Sequence, residues 1–561
     1  MKATRRILSL TLALIMAALV FCMPASASGT APLIMVNGIG STPLYKDFGT
    51  ENEQLVFSGD EAYVEGLVTD IGSAFVSGLI SYGVNRKSYD AFADSFFPAL
   101  KPLLSDIGYG LDGKSINDTI GFYQNEKPMS QYTEEEKAVL SEFTYAYAEQ
   151  YGEDFVYNFS YDWREDPVTI AKELDAFINK VAPSGKVNIV GMSMGSNIVL
   201  AYLAQFGGAK VKNCVFAAPA WQGTSLVGNV VTDNLEIDIF AVENYLVQLA
   251  NVSATTHIAA FIISYIASEE GLSHEYFGDI NAIFQNINPR VYTDAFIPYF
   301  AGMPGIWGLV PQADYEAGLE FIYESHGIEI DPGVKAKLDA YHEIQGNAKQ
   351  VIEDAMADGM HFGIVCGYNC QMIPLSTEYE SSDTIIDTEL MSGGASCAKY
   401  LQAYDDWDEI YTQKIKDGHN HVSWDSKVDA STAMFPEYTW FVKNMQHNSF
   451  SRDNGTLDVV MWLLDSEEQV DVTTDVESFP QFMLYNTYKK TTKPMPVGGV
   501  LGDVDLSTAV SLDDARLALK FATGTEEPND EQFLLGDINE NGQFETDDVL
   551  DILKIAAGIV Y

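Results

Sequence analysis

The chain has 561 residues, enough for a large catalytic domain and at least one further unit. Its 80 acidic residues outnumber the 32 basic ones and give a formal charge of −48. Such a charge repels nucleic acid and anionic membrane surfaces, so both classes of partner are excluded. The excess of carboxylates also suits calcium, which takes oxygen ligands.

The N-terminus, residues 1–27, is predicted to be a secretory signal peptide. Three basic residues among the first six precede an apolar run, Ile7 to Phe21, and Ala25-Ser26-Ala27 then supplies a cleavage site. A retained membrane anchor is the alternative, but this run is short for a bilayer span. We therefore expect a secreted, extracellular protein without a stable membrane anchor.

After cleavage, four cysteines remain in the chain: Cys214, Cys366, Cys370 and Cys397. Export permits one or two disulfide bonds. Cys370 and Cys397 flank the segment interpreted below as catalytic, so a bridge between them is one possible pairing. The sequence does not fix the pairing, because spacing alone cannot do so.

From residue 28 to 485, short apolar runs alternate with amphipathic stretches such as residues 167–182. The runs are typical of buried parallel strands that end in turns: PLIMVNGIG, DFVYNFSYDW, KVNIVGMSMG, VKNCVFAAPA and MHFGIVCGYN. The alternation predicts an α/β fold, a parallel sheet covered by helices on both faces. Residues 222–358 are too long for a connection and have helical patterns, so they are predicted to be an inserted cap domain.

The segment VNIVGMSMGSNIVLAYLA, residues 187–204, places Ser193 between a predicted strand and a predicted helix. G-x-S-x-G at such a corner is typical of a nucleophile elbow. The turn forces the serine into a strained backbone conformation, and a side chain at Gly191 or Gly195 would collide with the neighbouring strand or helix. A glycine-rich turn that merely packs is the alternative, but the flanking strand and helix favour Ser193 as the nucleophile.

A serine nucleophile needs a base and an acid that orients the base. The elbow predicts them in the chain order Ser, Asp, His. Asp383 and Asp387 follow the apolar run 361–366, and His419 and His421 lie further along. A metal site is the alternative for the His-x-His pair, but a pair without a third nearby ligand is weak support for zinc. The residues alone leave both acids and both histidines open.

Backbone N–H groups near the serine are needed to bind an oxyanion. The N–H of Met194, directly after the serine, is expected to supply one donor. The loop VNGIGSTP follows the first strand, and Gly38 and Gly40 let its backbone approach closely, which makes the N–H of Ile39 the expected second donor. An ordinary glycine turn is the alternative for this loop.

Several of these stretches together resemble lipases of the lecithin–cholesterol acyltransferase type, which have the α/β-hydrolase fold with a cap. The matching pieces are spread over residues 33–425: VNGIGSTPLY, YNFSYDWRED, the elbow, VKNCVFAAPAWQGTS and FAGMPGIWGLVP. The resemblance implies serine acyl chemistry on a lipid-like carboxylic ester through an acyl-enzyme, with no cofactor for catalysis. Hydrolysis is favoured, and O-acyl transfer uses the same residues.

The family pattern also bears on the acid and the base. Its acid lies in Gly-Asp-x-Thr-Val and its histidine in Gly-x-x-His, which implies Asp383 and His421 in this chain. Ser382 and Ile385 depart from the acid pattern, so Asp387 stays open as the alternative.

Beyond a polar, Pro- and Gly-containing linker predicted at 486–500, residues 501–561 contain a two-fold repeat that begins at Gly502 and again at Gly536. Each copy has oxygen-bearing residues at EF-hand loop spacing, with a backbone carbonyl at position 7. The predicted Ca²⁺ ligands are Asp503, Asp505, Ser507, Ala509, Ser511 and Asp514 in the first loop, and Asp537, Asn539, Asn541, Gln543, Glu545 and Asp548 in the second. Thr508 stands where a glycine is expected in the first loop.

Two loop-plus-helix repeats with Asp at position 12 resemble a dockerin, a small all-α calcium-binding module. The resemblance implies a cohesin domain of a scaffoldin as the partner, a cellulosome-like assembly, and attachment to a cell surface only through the scaffold. It places cohesin-facing residues at Leu512-Asp513 and Thr546-Asp547.

Three functions compete on the sequence alone. A secreted lipase or esterase is favoured because the cap stretches 257–267 and 296–311 are apolar and suit acyl chains. An esterase that removes acetyl or aromatic acids from cell-wall polysaccharide is the alternative that the dockerin resemblance raises. A non-catalytic adhesion module is disfavoured, because the elbow and downstream Asp and His residues are intact.

Overall fold

The structure, a computed structural model, describes residues 30–559 apart from positions 125, 139, 237–272, 375–379, 401, 405–418, 448–453, 487–488, 490, 496–499, 508, 540–541 and 558. The predicted signal peptide, the apolar stretch 257–267 and the predicted ligand Asn541 therefore lie outside the described residues.

The described strands are short, as is usual for a sheet built from parallel crossovers. They are β1 Leu33–Val36, β2 Leu44–Lys46, β3 Gln54–Phe57, β4 Val156–Phe159, β5 Val187–Met192, β6 Val211–Ala217, β7 His361–Tyr368, β8 Cys370–Gln371, β9 Ser381–Ser382, β10 Ser396–Cys397, β11 Val428–Asp429, β12 Thr439–Lys443, β13 Phe482–Asn486 and β14 Thr491–Pro494.

The described helices fall between the strands, with two groups beside the sheet. They are α1 Glu61–Val84, α2 Tyr89–Ile107, α3 Glu134–Ala138, α4 Glu142–Tyr151, α5 Pro167–Val181, α6 Gly195–Phe206, α7 Ser225–Val231, α8 Ser273–Val291, α9 Ile297–Tyr299, α10 Pro304–Trp307, α11 Tyr315–Leu319, α12 Pro332–Gly346, α13 Ala348–Ala357, α14 Thr388–Ser392, α15 Asn454–Asp465, α16 Leu512–Ala522, α17 Asp530–Gly536 and α18 Thr546–Ala556. Short 3₁₀ turns span Met129–Gln131, Glu153–Phe155, Ala430–Thr432 and Pro436–Tyr438, and π-helical turns span Tyr292–Phe296 and Glu320–Glu324.

The central sheet has eight strands in the order β14-β13-β12-β7-β6-β5-β1-β4. All neighbours are parallel except β13 and β14. The five strands predicted from apolar runs are β4, β1, β5, β6 and β7, which are consecutive in this sheet. Strands covered on both faces read as continuous apolar runs, which is why the sequence identified them.

Helix α5 shows why the predicted helices form. Asp166 caps its N-terminus by accepting from the N–H of Thr169, and Pro167 occupies the first helical position, where its missing N–H costs nothing. Its buried face includes Ile170 and Leu174, which are spaced four residues apart. Helices α5, α6 and α13 pack together over one face of the sheet, whereas α4 and α15 pack together over the other.

All described elements between β6 and β7 are helical, and they lie within the range predicted for the cap, 222–358. Trp307 and Tyr323 stack at the centre of a separate apolar core there. Two features differ from the prediction.

Helix α13 lies within the predicted cap range, but it packs on α6 and β7 and so belongs to the helix layer that covers the sheet. The α1–α2 hairpin was not predicted from the sequence. It packs on α8, where the rings of Phe75 and Phe284 stack.

The predicted linker, 486–500, is wrong in its first half. Asn486 ends β13, and Thr491–Pro494 form β14, the antiparallel edge strand of the main sheet. Polar composition suggested a linker, but an edge strand tolerates polar residues and proline because one side of its backbone is unpaired.

The described cysteines Cys214, Cys366, Cys370 and Cys397 are all free thiols. The bridge considered between Cys370 and Cys397 is not formed. Cys370 lies in the β8–β9 ladder and Cys397 lies in the separate β10–β11 ladder. In the part of the chain that the structure describes, no helix has both the length and the apolar character needed to cross a membrane.

Candidate active site

Ser193 occupies the sharp turn between β5 and α6. Its backbone has a φ of 53°, the left-handed region that a side chain rarely adopts. The Ser193 N–H donates to the carbonyls of Ala217 and Ala218 at 3.2 and 3.1 Å, and its own carbonyl accepts from Ser196 and Ala220. These bonds hold the strained conformation, which is the geometry that the sequence predicted for a nucleophile elbow.

The two glycines of the elbow are required by close backbone contacts. A Cβ atom at Gly195 would lie 1.9 Å from the carbonyl oxygen of Val36 in β1, and one at Gly191 would lie 3.0 Å from Cα of Ser196 in α6. The predicted collisions with a neighbouring strand and helix are both present.

The loop that follows β1 lies directly against Ser193. A Cβ atom at Gly38 would lie 2.6 Å from Cβ of Ser193 and 2.8 Å from its Oγ. Tyr161 holds this loop from behind, since its hydroxyl donates to the Asn37 carbonyl at 2.5 Å, and the Asn37 amide donates to Asn158 at 2.7 Å. The loop backbone is thus fixed beside the serine hydroxyl.

The two predicted oxyanion donors, Ile39 and Met194, both flank this contact. Among the described hydrogen bonds, neither backbone N–H donates to another protein group. Both lie in turns rather than in a helix or strand, so no regular ladder uses them. Two such N–H groups near a nucleophile are what an oxyanion hole needs.

Asp383 follows β7, and its carboxylate is paired with a histidine that the sequence analysis missed. Its Oδ2 lies 2.6 Å from Nδ1 of His447, and the His447 N–H also donates to the Asp383 carbonyl at 2.6 Å. Its Oδ1 accepts from the N–H groups of Ile385 and Ile386 at 3.0 and 2.8 Å, which fixes the carboxylate. Both side chains of the pair are buried.

No hydrogen bond within the described residues joins Ser193 to His447. Such bonds are often long in enzymes without substrate and tighten when substrate binds.

His421, predicted as the base, is not the partner of Asp383. Its Nδ1 lies 2.8 Å from Oε1 of Gln481, and its ring lies beside His419 with 4.9 Å between centroids. The reason is topological, because His421 precedes β12 whereas His447 follows it, at the strand end next to the one that Asp383 follows. The signal in the sequence was the apolar run TWFVK with a histidine four residues after it.

Asp387, the alternative acid, binds the start of the cap instead. Its Oδ2 accepts from the N–H of Ser225 at 2.8 Å, and its Oδ1 accepts from the Ser225 hydroxyl. Burial raises the pKa of the Asp387 carboxyl above its usual range, although both bonds from Ser225 favour the charged form. Asp387 therefore joins the acid-bearing segment to α7.

The family-like motifs YDWR and GMPGIWG meet beneath the elbow. The buried Arg164 pairs with Asp162 through two bonds, of 2.9 and 2.7 Å. The Arg164 carbonyl accepts from the N–H of Gly305, whose Cα lies so close to Trp163 that a Cβ atom would be 2.0 Å from its carbonyl oxygen. Asn197 in α6 then donates to the Gly308 carbonyl at 2.7 Å, which ties the cap to the elbow helix.

A cavity of about 680 Å³ opens beside the β1 loop. Ser41 lines it and donates from its hydroxyl to the Gly38 carbonyl at 2.8 Å, so the cavity begins next to the residue that abuts Ser193. Its other lining groups are mainly aromatic or polar, including Tyr45, Asp60, Tyr123, Gln124, Lys127, Tyr132, Glu136 and Ser160.

The first predicted calcium loop brings three carboxylates together. In the first loop, single oxygen atoms of Asp503, Asp505 and Asp514 all lie within 4.8 Å of one another. In the second, burial and the nearby Glu545 raise the pKa of Asp548 to about 6. Of the three clustered carboxylates, Asp503 and Asp514 are buried and Asp505 is exposed; their spacing fits a bound divalent cation, which would offset their repulsion.

A family model described as the alpha/beta hydrolase fold matches residues 115–271, a range that includes β4, β5, the elbow and β6. The chain therefore has an α/β-hydrolase fold. That fold indicates hydrolase activity, and it agrees with the mostly parallel sheet and with the position of Ser193 after β5.

Among solved structures, the chain is similar to one in the crystal structure of the Tle4–Tli4 complex, with 11% sequence identity and a TM-score of 0.23. The match covers 60% of this chain and 75% of that chain. No curated protein matches this chain.

Proposed function

We propose that the protein is a secreted serine hydrolase of carboxylic esters whose catalytic residues are Ser193, His447 and Asp383. The observation that supports the proposal is the 2.6 Å contact between Asp383 and His447. These residues lie in the connections that leave β7 and β12, which are neighbours in the sheet and come after the elbow strand β5 in the chain. An α/β-hydrolase fold uses these strand ends for its acid and base.

In this proposal, Ser193 Oγ attacks the ester carbonyl while His447 Nε2 takes its proton. Asp383 holds the imidazole through Nδ1 and stabilises it when it becomes charged. The N–H groups of Ile39 and Met194 bind the oxygen anion of the tetrahedral intermediate. His447 then protonates the leaving alcohol, and water releases the acyl group from Ser193 by the same steps in reverse order.

The substrate class is proposed as a lipid-like ester, on the resemblance to acyltransferase-type lipases, and O-acyl transfer would use the same residues. One argument for long acyl chains is weakened. The apolar cap stretch 296–311 contributes Ile297, Trp307 and Val310 to the buried core of the cap rather than to an open surface.

A polysaccharide ester is the second candidate, and the cavity beside the β1 loop supports it. Tyr45, Tyr123 and Tyr132 line it together with carboxylate and amide groups. Aromatic faces and hydrogen-bonding side chains suit the apolar faces and hydroxyl groups of sugar rings. The leaving alcohol would then be a cell-wall sugar carrying an acetyl or aromatic acid.

We further propose that residues 501–561 are a calcium-loaded dockerin that binds a cohesin domain of a scaffoldin. The clustered carboxylates of the first loop support calcium as the ion. The residues at the family's cohesin-facing positions, Leu512-Asp513 and Thr546-Asp547, are all exposed to solvent, as a docking surface requires.

The test of the catalytic proposal is labelling by a fluorophosphonate, which reacts with activated serines, followed by turnover of p-nitrophenyl esters from acetate to palmitate beside acetylated xylan. The wild type should be labelled, and Ser193→Ala should not. Continued labelling of Ser193→Ala would refute the proposed nucleophile. Preference for the long esters or for xylan decides between the two substrate classes.

A further inference from the structure

We propose that the C-terminal module is a built-in part of the catalytic unit, and that Asn444 is the positioning residue through which the module holds the turn that carries His447. The second half of this inference rests on the proposed Ser193–His447–Asp383 triad. The first half does not.

The module shares an apolar core with the central sheet. Leu484 in β13 and Met495 after β14 are buried in one cluster with Val504, Phe533 and Leu534 of the module. Trp424 and Phe482 pack against the same cluster from the hydrolase side. Few contacts cross the boundary between domains that are joined only by a flexible linker, so a shared apolar core indicates that the module is packed against the sheet.

Polar contacts also join the module to the end of strand β13. The amide of Asn486, the last residue of β13, donates to Oδ1 of Asp530 at 3.0 Å. Lys489 lies 3.8 Å from the same carboxylate oxygen. Asp530 is the first residue of α17, which packs against β13, so the module is fixed at the β13–β14 edge of the sheet.

Asn444 lies where the second repeat loop meets the sheet. It directly follows β12 in a left-handed conformation, with a φ of 61°, and it is buried. Gly542 of the loop approaches so closely that a Cβ atom on it would lie 3.5 Å from both Cγ and Nδ2 of Asn444. This distance is an ordinary van der Waals contact, so the loop packs directly on Asn444. Gly542 has a positive φ, of 78°, which disfavours a side chain at this position.

Asn444 connects the two turns that carry the acid and the base. Its Oδ1 accepts from the amide of Asn369 at 2.9 Å, and its N–H donates to the Tyr368 carbonyl at 2.9 Å. Asn369 follows β7, and its N–H donates to Ser381, two residues before Asp383. On the other side, Asn444 lies three residues before His447. The loop of Gly542 therefore covers a network that ends at Asp383 and at His447.

This arrangement is compatible with cohesin binding. The module presents Leu512 and Thr546 to solvent, whereas the residues that meet the sheet are Phe533, Leu534 and Gly542, all buried. One face of the module is thus buried against the hydrolase sheet, and the face that carries Leu512 and Thr546 is exposed to solvent, where a cohesin can bind.

The first test uses the full chain with a protease site inserted at 496–499, followed by cleavage. The cleaved protein should elute as one species in gel filtration, because the shared core holds both pieces together. Separation of the pieces without denaturant would refute the built-in module. This readout does not depend on any catalytic assignment.

The second test compares Asn444→Gly with Asn444→Asp. Glycine accepts the left-handed backbone but removes the amide, whereas Asp tolerates that backbone and keeps the acceptor for Asn369. We expect Asn444→Gly to lower kcat and the fluorophosphonate labelling rate about tenfold or more with KM within twofold, because a misplaced base slows chemistry more than binding. Asn444→Asp should recover most of the rate.

The matched control is Arg86→Gly, at an exposed turn with the same φ of 61°, which should keep the wild-type rate. Wild-type kcat in Asn444→Gly, or an equal rise of KM in both Asn444 variants, would overturn the positioning role. Either result can be told apart from failure of the proposed function, because that failure would show as continued labelling of Ser193→Ala by the fluorophosphonate. A drop in the melting temperature of Asn444→Gly with unchanged kcat would also overturn it, since that result marks a purely structural residue.

Discussion

Asp383 and His447 are joined twice, by a side-chain contact of 2.6 Å and by a backbone bond of 2.6 Å from the His447 N–H to the Asp383 carbonyl. Asp383 lies in the connection that leaves the end of β7 and passes through the β8–β9 ladder, and His447 lies four residues after the end of β12. Strands β7 and β12 pair in parallel register. Parallel strands end at one edge of a sheet, so residues that follow neighbouring strands meet there. The second bond fixes the histidine backbone to the acid, so the orientation of the ring does not depend on the carboxylate alone.

The histidine assignment is tested by comparing His447→Ala with His421→Ala. Replacing His447 should lower kcat/KM about 10³-fold or more, because loss of a triad member leaves only the contribution of binding and the oxyanion hole. His421 is buried against Gln481, so its replacement should lower stability and leave most of the activity. The measurements are ester turnover and thermal unfolding of both variants.

The two variants serve as controls for each other, since both remove a buried imidazole. A larger loss of kcat/KM in His421→Ala than in His447→Ala would show that the family pattern, rather than the strand order, identifies the base.

The acid is tested in the same way with Asp383→Asn and Asp387→Asn. Asparagine at 383 should cut kcat by about 10³- to 10⁴-fold, since it no longer stabilises a charged imidazole or fixes its tautomer. Asparagine at 387 should act on the cap instead, because this carboxylate accepts two bonds from Ser225. We expect it to cost about 2 kcal/mol in unfolding free energy. Equal losses of kcat in the two variants would contradict these separate roles.

The sequence predicted the backbone geometry of the elbow, but it did not predict the pairing of Asp383 with His447. Gly191, Ser193 and Gly195 are local in the chain, and the steric reason for each can be read from spacing alone. Asp383 and His447 are separated by 64 positions, and only the order of strands in the sheet brings them together. The resemblance implied His421, whereas the histidine that contacts Asp383 follows the apolar run TWFVK, at position 447.

The edge strand inside the predicted linker was missed for a different reason. Composition at 486–500 is that of a linker, and an edge strand such as Thr491–Pro494 has the same composition because one side of it needs no apolar partner. Burial of Leu484 and Met495 by the module depends on packing between distant segments, which no local pattern records.

The contact between the β1 loop and the nucleophile is tested by Gly38→Ala. The added methyl would lie 2.6 Å from Cβ of Ser193 and 2.8 Å from its Oγ, so either the serine or the loop must move. We expect kcat/KM to fall about 10²-fold, since displacements of about 1 Å at a reacting group have effects of that size.

The control is Gly83→Ala, an exposed glycine in α1 with no atom within 4 Å of the added methyl. It should match the wild type in turnover and equal or exceed it in stability, because alanine is the better helix former. Full activity of Gly38→Ala would mean that the β1 loop does not take part in the site.

The calcium proposal is tested by Asp514→Ala and Asp513→Ala, adjacent positions with opposite environments. Asp514 is buried at position 12 of the first loop, whereas the Asp513 side chain is 75% exposed. Calcium should raise the melting temperature of the wild type and of Asp513→Ala, because an ion that binds only the folded state stabilises it. Asp514→Ala should show a smaller shift, because only the second loop keeps its full set of predicted ligands, and the wild type in EDTA should show none.

Titration calorimetry with calcium supplies a second readout that is independent of activity. Equal calcium affinity in the two variants would contradict the assigned ligand set. Since the module shares a core with β13, we also expect chelation to lower the melting temperature of the hydrolase transition, and no change there would contradict that coupling.

Acid stability of the cap should depend on His342. This side chain is buried, with Nε2 3.0 Å from the Trp307 carbonyl and its ring stacked 3.8 Å from that of Tyr315. Burial lowers the pKa of His342 from 6.5 to about 4. Between those values the unfolded chain binds a proton that the folded chain does not, so the stability present above pH 6.5 is lost as the pH falls toward 4. The loss attributable to this group is on the order of 3 kcal/mol.

The measurement is urea unfolding between pH 7.5 and 4 for the wild type, His342→Gln and His326→Gln. His342→Gln should be less stable than the wild type at pH 7.5, because it loses the stacked ring, and its stability should fall less steeply with acidification. His326→Gln removes a half-buried ring from the same cap and is the control for the loss of ring packing. An unchanged slope in His342→Gln would mean that His342 is already protonated in the folded cap, with the Trp307 carbonyl and Gln345 Oε1 both accepting from its ring.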